Sequence, residues 1–164
     1  RVVYLKIATG GKTGDYYAFG QVLRQAIAKH QSHIQLQVIL TNGATDNMQR
    51  LENRQVQLAL TQNDTPALPS ARAIALLYPE VFHLIVAEKS NIKSVTDLKG
   101  KRIALMPKGS GSYDAFWILA QHYDFKSGDV QTIPLSPIEA QEAFHQGKVD
   151  GIFRTASIGN LWTK

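Results

Sequence analysis

The sequence predicts an α/β fold with two lobes, each a parallel sheet covered by helices. Two observations lead to this prediction. Short apolar runs of strand-like composition alternate with segments whose apolar residues recur at helical spacing, and this alternation is typical of parallel βαβ units. The alternation also breaks near residues 79–84, after a stretch interrupted by prolines, so the strands and helices divide into two sets.

The first set contains three strands and two helices. The periodicity predicts, in chain order, a strand over 2–8, a helix over 16–29, a strand over 34–40, a helix over 44–53 and a strand over 57–61.

The second set begins with residues 81–87 (VFHLIVA), which we expect to cross between the lobes. It continues with a capped turn at 94–98, a strand over 102–106, a helix over 110–123, a strand over 130–134, a helix over 137–145 and a strand over 150–153. We therefore assign residues 1–82 to lobe one, 83–153 to lobe two and 154–164 to a return segment that leaves the first lobe incomplete.

Composition excludes several classes of protein. The 18 Lys and Arg residues, which give a net charge of +5, are spread along the chain; nucleic-acid binding usually needs a clustered basic face, so we predict none. With 0 cysteines, a disulfide framework, a thiol nucleophile and thiolate metal sites are all absent. The sequence has neither a run of roughly 20 apolar residues, the length that spans a bilayer, nor a charged-then-apolar leader.

Small polar loops follow the predicted strands. In the first lobe they are residues 9–14, 41–43 and 62–64, and in the second lobe residues 107–112. The carboxyl ends of parallel strands share one edge with helix N-termini, where small anions bind. Each loop residue alone could equally form a turn or cap a helix; the convergence of four loops favours ligand binding.

The candidate ligand-binding residues lie mainly in these loops. Lys12 and Arg154 add positive charge, which favours a small carboxylate such as an acidic amino acid or a dicarboxylate. Of the adjacent tyrosines, we expect one to face the core and the other to face the ligand. The full set is Thr9, Gly10, Gly11, Lys12, Thr13, Tyr16, Tyr17, Asn42, Gln62, Asp64, Ser110, Gly111, Ser112 and Arg154.

Motifs for catalysis, metals or cofactors are missing from the sequence. A phosphate-binding loop around Gly11-Lys12-Thr13 would need glycine five positions before Gly11, where Lys6 stands. A nucleophile elbow at Ser110 would need glycine where Lys108 stands. The close pair His30 and His33 is more typical of a solvated helix end than of a metal site. We therefore predict no enzyme activity, no metal and no cofactor.

Four segments resemble those of the TAXI-type solute receptors of TRAP transporters. They are ATGGKTGDYYAFG, TNGATDNMQRLENRQVQLALTQND, SVTDLKGKRIALMPKGSGS and EAFHQGKVDGIF, in colinear order. The resemblance implies a type II periplasmic-binding-protein fold, in which two lobes close on a small organic anion or amino acid. It further implies an extracytoplasmic monomer, membrane-anchored in its full-length form, that delivers its solute to a membrane permease.

The sequence also departs from that family. Lys12 and Thr13 replace small residues, Ala18 stands where the family commonly has proline, and family members run considerably longer beyond Lys164, which implies C-terminal truncation. Two alternatives stay open: a ligand-sensing domain of a membrane-bound signalling protein, and an enzyme on a similar scaffold. If the lobes close on a ligand, we expect hinges at residues 83–86 and 153–155.

Overall fold

The computed structural model describes residues 1–160 and has the predicted α/β architecture. Its strands are β1 Val3–Ala8, β2 Ile34–Ile39, β3 Leu58–Ala59, β4 Glu80–Val86, β5 Arg102–Leu105, β6 Gln131–Pro134 and β7 Gly151–Ser157. Its α-helices are α1 Asp15–His30, α2 Ala44–Glu52, α3 Gly111–His122 and α4 Pro137–His145, with short 3-10 turns at Glu88–Ser90 and Val95–Leu98. Residues 161–164 of the predicted return segment lie outside the described residues.

The chain divides into two units whose boundaries differ from those predicted. The first unit comprises Arg1–Leu77 together with Gly109–Gly111, and the second comprises Tyr78–Lys108 and the described residues from Ser112 onward. Residues 78–82 belong to the second unit because residues 80–82 are the first part of β4, which pairs with β7 of the same sheet. The segment 109–111 belongs to the first unit, where the Asp46 amide donates a hydrogen bond to the Gly109 carbonyl at 2.9 Å.

The first unit has a three-stranded sheet in the order β2-β1-β3, with both neighbours parallel to β1. Ile7, Leu36 and Leu60 form its buried core, and side chains of α1 such as Leu23 and Ile27 pack against them. The helix crossovers predicted from periodicity therefore produce the expected parallel sheet.

Gly20 brings α1 very close to the strands. A methyl group on this residue would lie 2.8 Å from Cγ2 of Thr9 and 3.0 Å from Cγ1 of Val38. Any side chain at this position would push the helix away from the sheet, at the end where Thr9 leads into the first loop.

We expect Gly20→Val to lower the free energy of unfolding by about 1–3 kcal/mol, the usual cost of overpacking. Gly11→Val is the control: nothing lies within 4 Å of its added carbon, so we expect a change under about 0.5 kcal/mol. Urea denaturation followed by circular dichroism measures both. A Gly20→Val protein as stable as the parent would contradict the close packing.

The second unit has a four-stranded sheet in the order β4-β7-β5-β6. β5 runs parallel to both of its neighbours, but β4 runs antiparallel to β7 from Glu80↔Ser157 to Val86↔Gly151. The alternation of strands and helices did not predict this antiparallel pair. Residues 83–86 and 153–155, the predicted hinges, lie inside it and are held by a continuous ladder.

The central strands of the second sheet, β5 and β7, are buried on both faces. Phe116, Leu98 and Phe153 belong to the cluster on one face, which includes residues of α3. Ala140 of α4 packs with Met106 and Ile152 on the other. Burial on both faces is typical of parallel strands, and it explains why β5 (RIAL) is almost entirely apolar after its first residue.

The two units share one strand order. In each, the first parallel strand lies between the second and the third, as β2-β1-β3 and as β6-β5-β7. The strand order therefore reverses at β1 and at β5, and ligands of open α/β sheets bind beyond the carboxyl ends of the strands at such a reversal. Among residues 1–160, the helices are all too short or too polar to qualify as candidate membrane spans.

Candidate functional site

The loops after β1 and β2 are joined by hydrogen bonds in the first unit. Thr9, which directly follows β1, is fully buried, and its hydroxyl donates to the Ile39 carbonyl at 2.7 Å. The Thr41 amide in turn donates to the Gly10 carbonyl at 3.2 Å. Thr9 and Gly10, both predicted as ligand-binding residues, therefore lie at the reversal point in fixed backbone positions.

Asn47 connects the ends of all three strands, and sequence reasoning did not select it for the site. Its side chain is fully buried. Nδ2 donates to the carbonyls of Thr9 at 2.5 Å and Leu60 at 2.7 Å, and Oδ1 accepts from the Thr41 hydroxyl at 2.5 Å. A signal was present in the sequence, because helical spacing puts this asparagine on the apolar face of α2, with Ala44 and Met48.

Asp46, the preceding residue of α2, holds the second loop. Its carboxylate accepts a hydrogen bond from the Asn42 amide at 3.0 Å and pairs with Arg50 at 2.9 Å. The Gly43 amide donates to the Thr41 hydroxyl oxygen at 3.2 Å, and Gly43 has φ +121°. This left-handed backbone favours glycine, which explains its place in the loop.

Four of the predicted residues come together in the first unit. Gly43 lies against Ser110, Gly109 lies near the Asn42 side chain, and Gly111 packs against the side-chain amide of Gln62. Gln62 itself begins a turn closed by hydrogen bonds with Thr65 at 3.1 and 3.2 Å. Asn42, Gln62, Ser110 and Gly111 are therefore neighbours.

The remaining predicted residues of the first unit differ in their exposure to solvent. Gly11, Lys12, Thr13 and Asp64 are exposed at the surface. Tyr16 packs against the core cluster of Ile7, Leu36 and Leu60, which confirms that one tyrosine of the pair faces the core. Tyr17 is half-buried, and its contact with a ligand stays a prediction.

The second unit contains the other two predicted residues, Ser112 and Arg154. The Ser112 hydroxyl accepts a hydrogen bond from the Thr155 amide at 2.9 Å and lies 2.7 Å from the Thr155 hydroxyl. These bonds join the start of α3 to β7, so Ser112 has a structural role, and its ligand contact stays a prediction. Sequence reasoning placed Thr155 in an expected hinge but did not predict its bonds to Ser112, because the two residues are 43 positions apart.

Arg154 is buried, with 7% of its surface exposed, and the register of the sheet places it opposite His83 of β4. Successive side chains of a strand point to opposite faces, so Arg154 faces away from the aromatic cluster that contains Phe153. A guanidinium is always charged and can bind a carboxylate or sulfonate through two parallel hydrogen bonds.

A separate ion pair lies at the amino-terminal end of the parallel strands of the second sheet, where β5 and β7 begin. The Arg102 guanidinium donates to the Asp150 carboxylate at 2.7 and 3.1 Å, and the Arg102 amide adds a third hydrogen bond at 2.8 Å. These hydrogen bonds hold the pKa of Asp150 below its usual value, against the opposing effect of partial burial.

Acid should therefore destabilise the second unit. Because the folded-state pKa of Asp150 is lowered, its stabilising effect is complete above the unfolded-state value, 3.8, and is lost as the pH falls through the folded-state value. We expect Asp150→Asn to cost about 1 kcal/mol near neutral pH, after allowance for solvent screening, and much less in strong acid. Urea denaturation across pH measures this, with the exposed Glu142→Gln as control; a pH-independent cost would contradict it.

The match to a known family comes from nearly the entire length of the chain. The model of the NMT1-like family matches residues 7–71 and 67–162. The chain belongs to the NMT1-like family.

Two curated relatives of this NMT1-like protein are named as binding proteins. An aliphatic sulfonates-binding protein of Escherichia coli strain K12 is 34% identical over 102 residues, which cover 58% of the chain and 32% of the relative. ABC transporter arginine-binding protein 1 of the same organism is 26% identical over 156 residues, which cover 94% of the chain and 60% of the relative. The chain thus spans between about a third and three fifths of these relatives.

Solved structures show the same fold. The periplasmic aliphatic sulphonate binding protein SsuA from Escherichia coli is 26% identical, with a TM-score of 0.58 over 93% of the chain and 54% of that structure. A mutant of ArgBP from T. maritima is 16% identical, with a TM-score of 0.68 over 93% of the chain and 68% of that structure. The NMT1-like chain therefore has the type II periplasmic-binding-protein fold that the resemblance implied.

Proposed function

We propose that this NMT1-like protein captures a small organic acid or amino acid outside the cytoplasm and presents it to a membrane permease, without chemical conversion. The observation on which this rests is the carboxyl edge of the first sheet, where the loops after β1, β2 and β3 are hydrogen-bonded into one surface through Asn47. The names of the relatives support it, because both curated relatives described above are binding proteins.

The ligand class follows from the charges available. Lys12 is exposed in the first loop and Arg154 is buried in β7; both can pair with an anionic oxygen. A carboxylate and a sulfonate make the same kind of charge-assisted hydrogen bonds. The sequence favoured a carboxylate, and one relative is named for aliphatic sulfonates, so we propose an organic acid of either type.

We propose that each unit contributes residues to ligand capture. In the first unit these are Thr9, Gly10, Gly11, Lys12, Thr13, Tyr17, Asn42, Gln62, Asp64, Ser110 and Gly111. Tyr16 supports the first loop from the core. In the second unit they are Ser112 and Arg154.

The kind of permease is a narrower proposal. The TAXI-like segments of the sequence favour a TRAP-type permease, whereas one curated relative is named as part of an ABC transporter. Gene order distinguishes the two, since a receptor gene commonly lies beside the genes of its permease. Continuation of the same gene into a membrane helix and a signalling domain would instead favour a sensor.

A thermal-shift screen tests the proposed ligand class. The panel contains alkanesulfonates, dicarboxylates, amino acids and neutral sugars, each at several concentrations. We expect at least one organic acid or amino acid to raise the melting temperature in a concentration-dependent way, because a ligand that binds only the folded state stabilises it. Stabilisation by neutral sugars alone would contradict the proposed ligand class.

A further inference from the structure

Almost all hydrogen-bonding positions of the Asn47 side chain are occupied. A neutral amide has two N–H donors and an oxygen with two acceptor positions. Both donors of Asn47 go to backbone carbonyls, those of Thr9 and Leu60, and the oxygen accepts from the Thr41 hydroxyl. The residue is fully buried, so bulk solvent does not compete for these bonds in the folded protein.

The three partners lie at the ends of three different strands. Thr9 directly follows β1, Leu60 directly follows β3, and Thr41 lies in the loop after β2. Beyond each partner comes a stretch with predicted ligand-binding residues: 10–13, 42 and 62–64. One side chain therefore fixes the distances between the starting points of all three loops.

The bonds also require an amide in particular. Aspartate would place carboxylate oxygens against the carbonyl oxygens of Thr9 and Leu60, which repel it, and would bury a charge with only the Thr41 donor to satisfy it. Leucine would match the approximate size of asparagine but would leave both carbonyls and the threonine hydroxyl without this partner.

The packing of α2 depends on other residues. Ala44 and Met48 are buried apolar residues of the helix, and the Asp46 carboxylate separately holds the Asn42 amide. The apolar contacts can keep the helix in place when the amide is lost. The effect of Asn47 is therefore concentrated at the strand ends.

We propose that Asn47 is the positioning residue of the ligand site in the first unit: it holds the three strand-end loops as one preorganised surface. The effect on affinity rests on the function proposed above. The effect on the loops does not depend on it.

Hydrogen–deuterium exchange of the whole chain tests the effect on the loops. In Asn47→Leu we expect the amides of Thr9, Thr41 and Leu60 to exchange about tenfold faster or more, while amides in the middle of β1 and β2 keep their rates. Met48→Ala is the matched control: it lies on the same helix face and is also buried, but no strand-end carbonyl is bonded to its side chain. We expect it to raise exchange evenly across the first unit.

Thr41→Val provides a milder variant, because it removes only the bond from the second loop to Asn47 and the hydroxyl that accepts from the Gly43 amide. We expect faster exchange at residues 41–43 and unchanged exchange at Thr9 and Leu60. Uniform acceleration in Asn47→Leu, like that of Met48→Ala, would overturn the proposal, and so would unchanged exchange at the strand ends.

Ligand titration separates this proposal from the proposed function. The probes are ethanesulfonate and L-arginine, titrated into the parent protein and into Asn47→Leu. If a probe binds the parent, we expect its affinity for the variant to be at least about tenfold lower. Equal affinity in parent and variant would overturn the positioning role. If the parent binds neither probe nor any solute of the screening panel, the proposed function fails, and the exchange experiment still decides whether Asn47 positions the loops.

Discussion

Arg154→Met is expected to weaken the binding of a small organic acid by about two orders of magnitude. Truncating one partner of a buried, hydrogen-bonded charge pair costs about 2–5 kcal/mol, and Arg154 is among the buried residues of the second unit. Methionine keeps much of the apolar volume but removes the charge. Isothermal titration with the strongest ligand of the screening panel measures the change.

Two further variants serve as controls for the effect of Arg154→Met. Arg154→Lys keeps the charge but cannot form the bidentate hydrogen bonds of a guanidinium, so we expect an intermediate affinity. Arg24→Met removes an exposed arginine of α1 and should bind as the parent does. If Arg154→Met remains folded and keeps the parent affinity, the anionic group of the ligand lies elsewhere and our assignment of Arg154 is wrong.

Phe153→Ala is expected to lower the free energy of unfolding of the second unit by about 3–5 kcal/mol, the usual cost of emptying a buried aromatic site. Phe153 is 1% exposed, and its ring centroid lies 5.4 Å from that of Phe116 and 5.5 Å from that of Phe82. Urea denaturation followed by tryptophan fluorescence reports this change, because Trp117 packs edge-to-face on Phe116.

Phe82→Ala is the matched control, because this ring also contacts Phe153 but is 52% exposed. We expect a clearly smaller loss from it, since less apolar surface returns to water. Equal losses from the two variants would contradict the packing of the aromatic cluster. Phe153 and Arg154 are adjacent in β7 and face opposite sides of the sheet, so one position reports on stability and the other on affinity.

The positions of the helices and most strands could be predicted from sequence because they depend on local periodicity. The helix at residues 137–145 was predicted with its observed bounds, since Ser136 and Glu139 form a capping box and proline occupies the first helical position. β7 was predicted too short, over 150–153, because Arg154 and Thr155 end its apolar run. Both are nonetheless buried, and the strand continues to Ser157.

Features that depend on distant contacts could not be predicted in the same way. The antiparallel direction of β4 depends on pairing with β7, about 70 residues later, and no local pattern encodes that partner. The placement of residues 109–111 in the first unit depends on contacts with Asp46 and Gln62. Small polar residues after strands directed the prediction to the carboxyl edge of the first sheet, but this criterion did not select Asn47, because Asn47 belongs to helix α2.

Capture of a solute by this protein can be measured by equilibrium dialysis against a mixture of alkanesulfonates, dicarboxylates and amino acids, with mass spectrometry of the retained solute. We expect one small organic acid or amino acid to be retained saturably, with one molecule bound per chain. We also expect this solute to be recovered chemically unchanged. Retention of no solute from the mixture, or recovery of a chemically altered product, would contradict the claim that this NMT1-like protein is a solute-binding protein.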